Sequence, residues 1–178
     1  MQPAVHLFVG YLCWSAYTRV GRGEPPAAVP ATVAVFAAIL PDLIDKPLTA
    51  WGVVGVGRTV GHSLLFAVPL GIVVYLLATR LDRRLLGVAF VVGYGSHIAA
   101  DVPWHVLSGD FHELGFLFWP VAEMPPYTGV KPLGTVAGTE VTTLWLEAVI
   151  VVLAVAAWIR DGTPGLGVLR RALVDRRE

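Results

Sequence analysis

Apolar residues gather along this chain in five stretches, at about 4–18, 26–44, 63–79, 85–106 and 141–159. A helix needs about 17–25 mostly apolar residues to cross a bilayer. The last stretch, VTTLWLEAVIVVLAVAAWI, meets that requirement best. The third, SLLFAVPLGIVVYLLAT, lies at the short end and carries Pro69. The first two are short, as a tilted or partly embedded helix would be. The fourth is long enough but contains the polar run GSHIAADVPWH at 95–105. No internal repeat or low-complexity tract interrupts the pattern. It predicts an all-α fold, a polytopic transmembrane bundle of about five spans. Residues 1–160 would form one membrane-embedded domain with a long outer loop at about 107–140, followed by a basic cytoplasmic tail over 161–178.

Composition agrees. Of 178 residues, 56% are hydrophobic and 15% charged. A soluble domain carries about a quarter charged residues, so the class expected is an integral membrane protein with the lipid bilayer as partner. Net charge is zero, so no global field favours nucleic acid. The single Cys13 excludes an intrachain disulfide and a CxxC metal pair. The opening MQPAVHLF lacks the basic start and small-residue cleavage site of a signal peptide.

Basic residues in short loops stay in the cytoplasm. Arg19 and Arg22 follow the first stretch, and Arg80, Arg83 and Arg84 the third. Arg160, Arg170, Arg171, Arg176 and Arg177 follow the fifth. That puts ten of the thirteen Lys and Arg on one side, leaving Lys46, Arg58 and Lys131 opposite. Five spans with the N-terminus outside and the C-terminus inside satisfy the rule; an even number breaks it. The expected location is the inner membrane, multi-pass.

That topology brings the unusual polar residues to one depth. His6 lies near the outer end of the first span, and Asp42 and Asp45 at that of the second. Arg58, His62 and Ser63 precede the third. His97, Asp101 and His105 end the fourth, and His112 follows. His97 and Asp101, four apart, share a helical face; His105 continues it only if the helix survives Pro103. Pro41 and Pro47 bracket the Asp pair and suggest a helix end. Ionisable groups near hydrocarbon are costly and are usually paired or functional. Clustered carboxylates repel unless a cation lies between them. Imidazole with carboxylate is a ligand set for zinc, and also for manganese or iron. A set this large can hold one or two ions, and two-metal sites suit phosphoester hydrolysis. Arg58 could clamp a phosphate.

Each group also has a plainer reading. His6 can be an interfacial histidine. Asp42 and Asp45 can cap a helix and pair with Lys46. His62 can be an interface residue, and His97 with Asp101 a hydrogen-bonded joint between helices. His105 and His112 can be ordinary residues at the water boundary. Trp51, Trp104 and Trp119 fit an aromatic belt better than a substrate platform. Glu147, inside the fifth span, fits either a buried pair or a relay.

The ordered set His6, LPDLID at 40–45, RTVGHS at 58–63, GSHIAAD at 95–101 and FLFWP at 116–120 resembles a known family. These are the inner-membrane metal-dependent hydrolases of bacteria and archaea, one branch of which is described as LexA-binding. The resemblance spans His6 to Pro120 and implies a polytopic helical protein. It implies a metal site at His6, Asp42, Asp45, His62, His97 and Asp101. The chain departs from the family where Gly57 replaces a frequent histidine before the arginine, and where PDLID replaces a frequent P-D-x-D. The pattern HxxxD followed by PWH is similar, more distantly, to zinc-dependent phospholipase C and single-strand nucleases. That likeness implies phosphoester chemistry.

The function expected is a membrane-bound hydrolase cleaving a phosphoester, such as a phospholipid head group, by metal-activated water. Arg58 would orient the phosphate and His105 would serve as general acid. The alternative is a non-catalytic membrane protein with a structural metal or a polar helix-packing cluster. A transporter ranks below both, because inner half-spans such as VVYLLAT offer no polar path.

Overall fold

The computed structural model describes residues 2–103, 106–107, 109–122, 135–136 and 139–167, without the side chains of 135–136 and 139–143. Six helices carry the fold: α1 (Pro3–Arg22), α2 (Ala28–Ala37), α3 (Leu40–Ala50), α4 (Leu64–Arg80), α5 (Arg84–Ala100) and α6 (Val141–Arg160). A 3-10 helix, His112–Phe118, lies in the long loop. Two short strands, β1 (Thr135–Val136) and β2 (Thr139–Glu140), pair antiparallel.

Each predicted apolar stretch is helical, with altered ends. Pro3 starts α1, where its missing N–H costs nothing. Gly23 ends it at φ 71°, a conformation that suits glycine. The second stretch runs to Ala50, with a turn at Ala38 and Ile39. Pro41 does not end a helix there but opens α3, and Pro47 lies inside it. The fourth stretch stops short of the expected 106. Asp101 caps α5, because Pro103 disfavours helical backbone in Val102 before it. Among the described residues, Ala28–Ala50 is long and apolar enough to cross a membrane. The apolar helices α4 and α5 reach 17 residues each.

Small residues let three helices approach closely. Ala34 and Ala37 of α2, and Ala38 just after it, are fully buried. A Cβ on Gly93 of α5 would collide with the Ala34 backbone, and one on Gly10 of α1 with the Ala38 side chain. Membrane helices commonly associate through such small-residue contacts. Helix α4 packs on α5, where Gly87 meets the Tyr75 backbone, and α6 packs on α1. Trp14, Tyr11, Ala31 and Ala89 fill one half of the core. Ala37, Tyr94, Ile98 and Phe116 fill the other.

The surface is inverted relative to a soluble protein. No residue of α4 is buried, and Val68, Ile72, Leu76 and Leu77 lie exposed along it. On α6, Trp145, Val149, Val152 and Leu153 do the same, while His6, Asp45, His62 and His97 are buried. Two polar contacts tie α6 to α1. Glu147, buried, accepts the Gln2 backbone N–H at 2.8 Å. At the other end Asp161 accepts from Tyr11 and Ser15 at 2.7 and 2.6 Å and pairs with Arg19.

Candidate metal centre

Four elements converge at one end of the bundle. Helix α1 supplies His6 from its first turns, α3 supplies Asp42 and Asp45, the segment before α4 supplies His62, and α5 with its cap supplies His97 and Asp101. His62, His97 and Asp45 are fully buried; His6, Asp101 and Asp42 nearly so.

Asp45 organises the loop. It accepts the Thr59 N–H at 2.6 Å, the Thr59 hydroxyl at 3.1 Å and the Gly61 N–H at 2.9 Å. It also accepts His62 Nδ1–H at 2.7 Å. Gly61 is required here, since a Cβ would sit 2.6 Å from the Pro41 carbonyl oxygen. Tyr94 seals the same spot by donating to the Gly61 carbonyl at 2.6 Å. The Ser63 hydroxyl joins the loop to the 3-10 helix by donating to the Trp119 carbonyl at 2.7 Å.

These bonds fix the imidazoles. His62 Nδ1 faces a carboxylate, and His97 Nδ1 faces the Ala38 carbonyl at 2.6 Å. Both partners only accept, so both Nδ1 atoms carry hydrogen, and each ring, when neutral, presents a lone pair at Nε2. Those two Nε2 atoms lie 3.0 Å apart. Facing lone pairs repel unless a proton or a cation lies between them. Burial disfavours charge on His62, but its hydrogen bonds with Asp101 and Asp45 outweigh that and hold its pKa above the ordinary histidine value.

The remaining donors surround this point. Asp101 Oδ2 lies 3.3 Å from His62 Nε2 and 3.8 Å from His97 Nε2. Its Oδ1 lies 3.3 Å from His6 Nε2. Asp42 Oδ1 is 3.8 Å from His62 Nε2. The His6 ring stacks on His97 at 3.8 Å, and its buried Nδ1 has no hydrogen-bond partner among the described residues. Two groups meet metal-ligand spacing, His6–Asp42–His97 and His62–His97–Asp101, each with its ligand atoms within 4.8 Å. Bonds of about 2.0–2.1 Å at tetrahedral angles put ligand atoms about 3.4 Å apart, close to these separations.

Five of the six expected ligands thus share the two groups, and Asp45 stands behind His62. The plainer pairing of the Asp motif is also present: Lys46 Nζ donates to Asp42 Oδ2 at 2.8 Å. Arg58 donates through Nε to Asp101 at 3.0 Å, with its guanidinium over the Phe116 ring at 5.5 Å. His105 and Trp104 lie outside the described residues. His112 is exposed and bonds Asp110 at 2.6 Å rather than joining the cluster. Trp51 is exposed. Sequence reasoning missed the Ala38 carbonyl, which no side chain advertises. It also missed the amides of Thr59 and Gly61, although both lie in RTVGHS.

A family model described as YdjM inner membrane protein matches residues 1–163. The chain belongs to that family. Membership makes it an inner membrane protein, in keeping with its inverted surface. The match covers every residue of the cluster and all six helices. Comparison with curated proteins and with solved structures gives no match.

Proposed function

We propose that this YdjM-family protein is a metal-dependent hydrolase that acts on a phosphoester at the outer membrane–water boundary. The observation that carries the proposal is the His62–His97 pair, with Nε2 atoms 3.0 Å apart and both Nδ1 atoms already committed. Such a pair invites a cation, and Asp101 and Asp42 supply the charge to hold a divalent one. His62, His97 and Asp101 would bind it, with His6 and Asp42 completing the set. Asp45 would orient His62 from behind, as carboxylates do for metal-bound histidines. One ion is favoured over two. His97 belongs to both groups, yet only its Nε2 is uncommitted, and that atom has one lone pair. Zinc suits these donors best, with manganese second.

A divalent ion in such a site supplies Lewis acidity, activating water and polarising a phosphoryl group. The chain supplies the rest. Arg58 braces Asp101 and brings a positive, partly exposed group beside the cluster, suited to orienting a phosphate. His105 as general acid rests on its place in the sequence. The membrane reading is five helical segments, with α2 and α3 counted as one, the N-terminus outside and the basic tail inside. Burial supports one rival: closed, fully buried ligands also suit a structural metal.

Elemental analysis of detergent-purified protein tests the proposal. One equivalent of zinc or manganese is expected in the wild type and is lost in His97→Ala/Asp101→Ala. Hydrolysis of a phosphodiester or phospholipid is lost with it. Metal without turnover, together with a lower Tm after chelation, selects the structural reading. A folded wild type that takes up no metal even when metal is added overturns both.

A further inference from the structure

The end of the bundle opposite the histidines holds a cavity of about 560 Å3. Tyr17 and Arg22 of α1, Val29 of α2, and Arg83, Arg84 and Val88 around the start of α5 line it. Arg22 lies sixteen residues beyond His6 along α1, about 24 Å at 1.5 Å per residue. That is close to the roughly 30 Å thickness of bilayer hydrocarbon, so the two sites sit near opposite boundaries.

The cavity is built for an anion. Three arginines line it against one acid, Asp82. Arg22 has Glu24 at 3.9 Å, and Arg84 lies over the Tyr75 ring at 5.7 Å. Among the described residues no carboxylate pairs with Arg83 or Arg84. Helices α2 and α5 both begin here without a side-chain cap and without an acid in the first turn. The first backbone N–H groups of both helices therefore have no side-chain cap there. The rest of the lining is apolar: Val29, Leu85, Leu86 and Val88. Helix α4, whose Tyr75 ring lies under Arg84, exposes Val73, Leu76 and Leu77.

We infer that this cavity binds the headgroup of an anionic phospholipid, with its phosphate among Arg22, Arg83 and Arg84 and its chains along α4. Volume and lining suit such a ligand, because pockets for small molecules run to about 300–1,000 Å3 with a few polar groups on apolar walls. The inference rests on the family's membrane placement and is independent of the metal reading.

Native mass spectrometry of the full-length protein, titrated with phosphatidylglycerol, tests it. Arg83→Gln/Arg84→Gln is compared with Arg80→Gln/Arg160→Gln. Both doubles remove two exposed charges at the same end, but only the first pair lines the cavity. At roughly fivefold per arginine in contact with the lipid, the first double should weaken binding at least about tenfold. The second should weaken it less than about threefold. Equal losses in the two doubles would mean diffuse attraction and overturn the site. So would phosphatidylcholine binding as tightly, or inorganic phosphate displacing the lipid at equal concentration. If the first double loses helicity by circular dichroism, Arg83→Gln alone carries the test, with about a fivefold loss expected. Metal content should stay at the wild-type level throughout, which separates this outcome from failure of the metal site.

Discussion

At the residue scale the decisive atoms are the two Nδ1 hydrogens. Asp45 holds one and the Ala38 carbonyl the other, so both rings turn a lone pair inward. Asp45→Asn keeps the shape but can offer His62 an N–H in place of an acceptor, which favours the wrong tautomer. We expect it to weaken metal affinity about 10–100-fold, measured by competition with a chromogenic chelator, while helicity is unchanged. An unchanged affinity would mean that Asp45 serves the loop alone. Asp161 gives a pH prediction. Burial opposes its charge, but hydrogen bonds from Ser15, Tyr11 and Arg19 outweigh this and hold its pKa below the ordinary carboxylate range. Its stabilising contribution is therefore full above the unfolded value of about 3.9 and is lost as pH falls through the lower folded value. Tm in detergent should drop below about pH 4 in the wild type, and less steeply in Asp161→Asn. That variant should start about 1.5–3 kcal/mol less stable at neutral pH, having lost hydrogen bonds to a charged group.

At the scale of elements, the alanines of α2 and the glycines facing them set how close α1 and α5 can come. Gly93→Val would force the α5 backbone away from Ala34. Overpacking of this kind costs about 1–3 kcal/mol, and here it would also pull His97 from His6 and His62. We expect lower Tm together with lower metal content. Gly95→Val, where a Cβ meets nothing within 4 Å, should leave both near the wild-type level. Equal effects in the two variants would detach the site from helix spacing. The helical character of the five apolar stretches was legible, because long apolar runs leave few alternatives, but the division of the second into α2 and α3 was not. The helix ends were also less legible. Proline reads as a stop, yet Pro41 starts a helix and Pro47 continues one, because what surrounds a proline decides whether its missing N–H matters.

At the scale of the molecule, the same contrast underlies the proposed topology. Apolar side chains on α4 and α6 are exposed while the histidine cluster is buried, and under the five-span reading ten of the thirteen basic residues would fall on the side opposite that cluster. A phosphatase reporter fused after residue 178 should be inactive and a fluorescent protein there bright, as for a cytoplasmic C-terminus. The opposite pattern would invert the orientation and move the histidine cluster to the inner boundary.

The sequence by itself determined the helical and membrane class and singled out His6, Asp42, Asp45, His62, His97 and Asp101, since hydropathy and the spacing of four along a helix are local properties. Only the tertiary structure decided their roles. Asp45 was equal to Asp42 in the sequence, but the Thr59 and Gly61 amides fold back onto it and leave Asp42 facing the imidazoles. The lone pair of His97 points inward because the backbone carbonyl of Ala38, in the turn between α2 and α3 and 59 residues away, accepts its other proton. Hydrogen-bond partners brought together by packing carry no local signal, and they decide which side chains face the cluster and which one stands behind it.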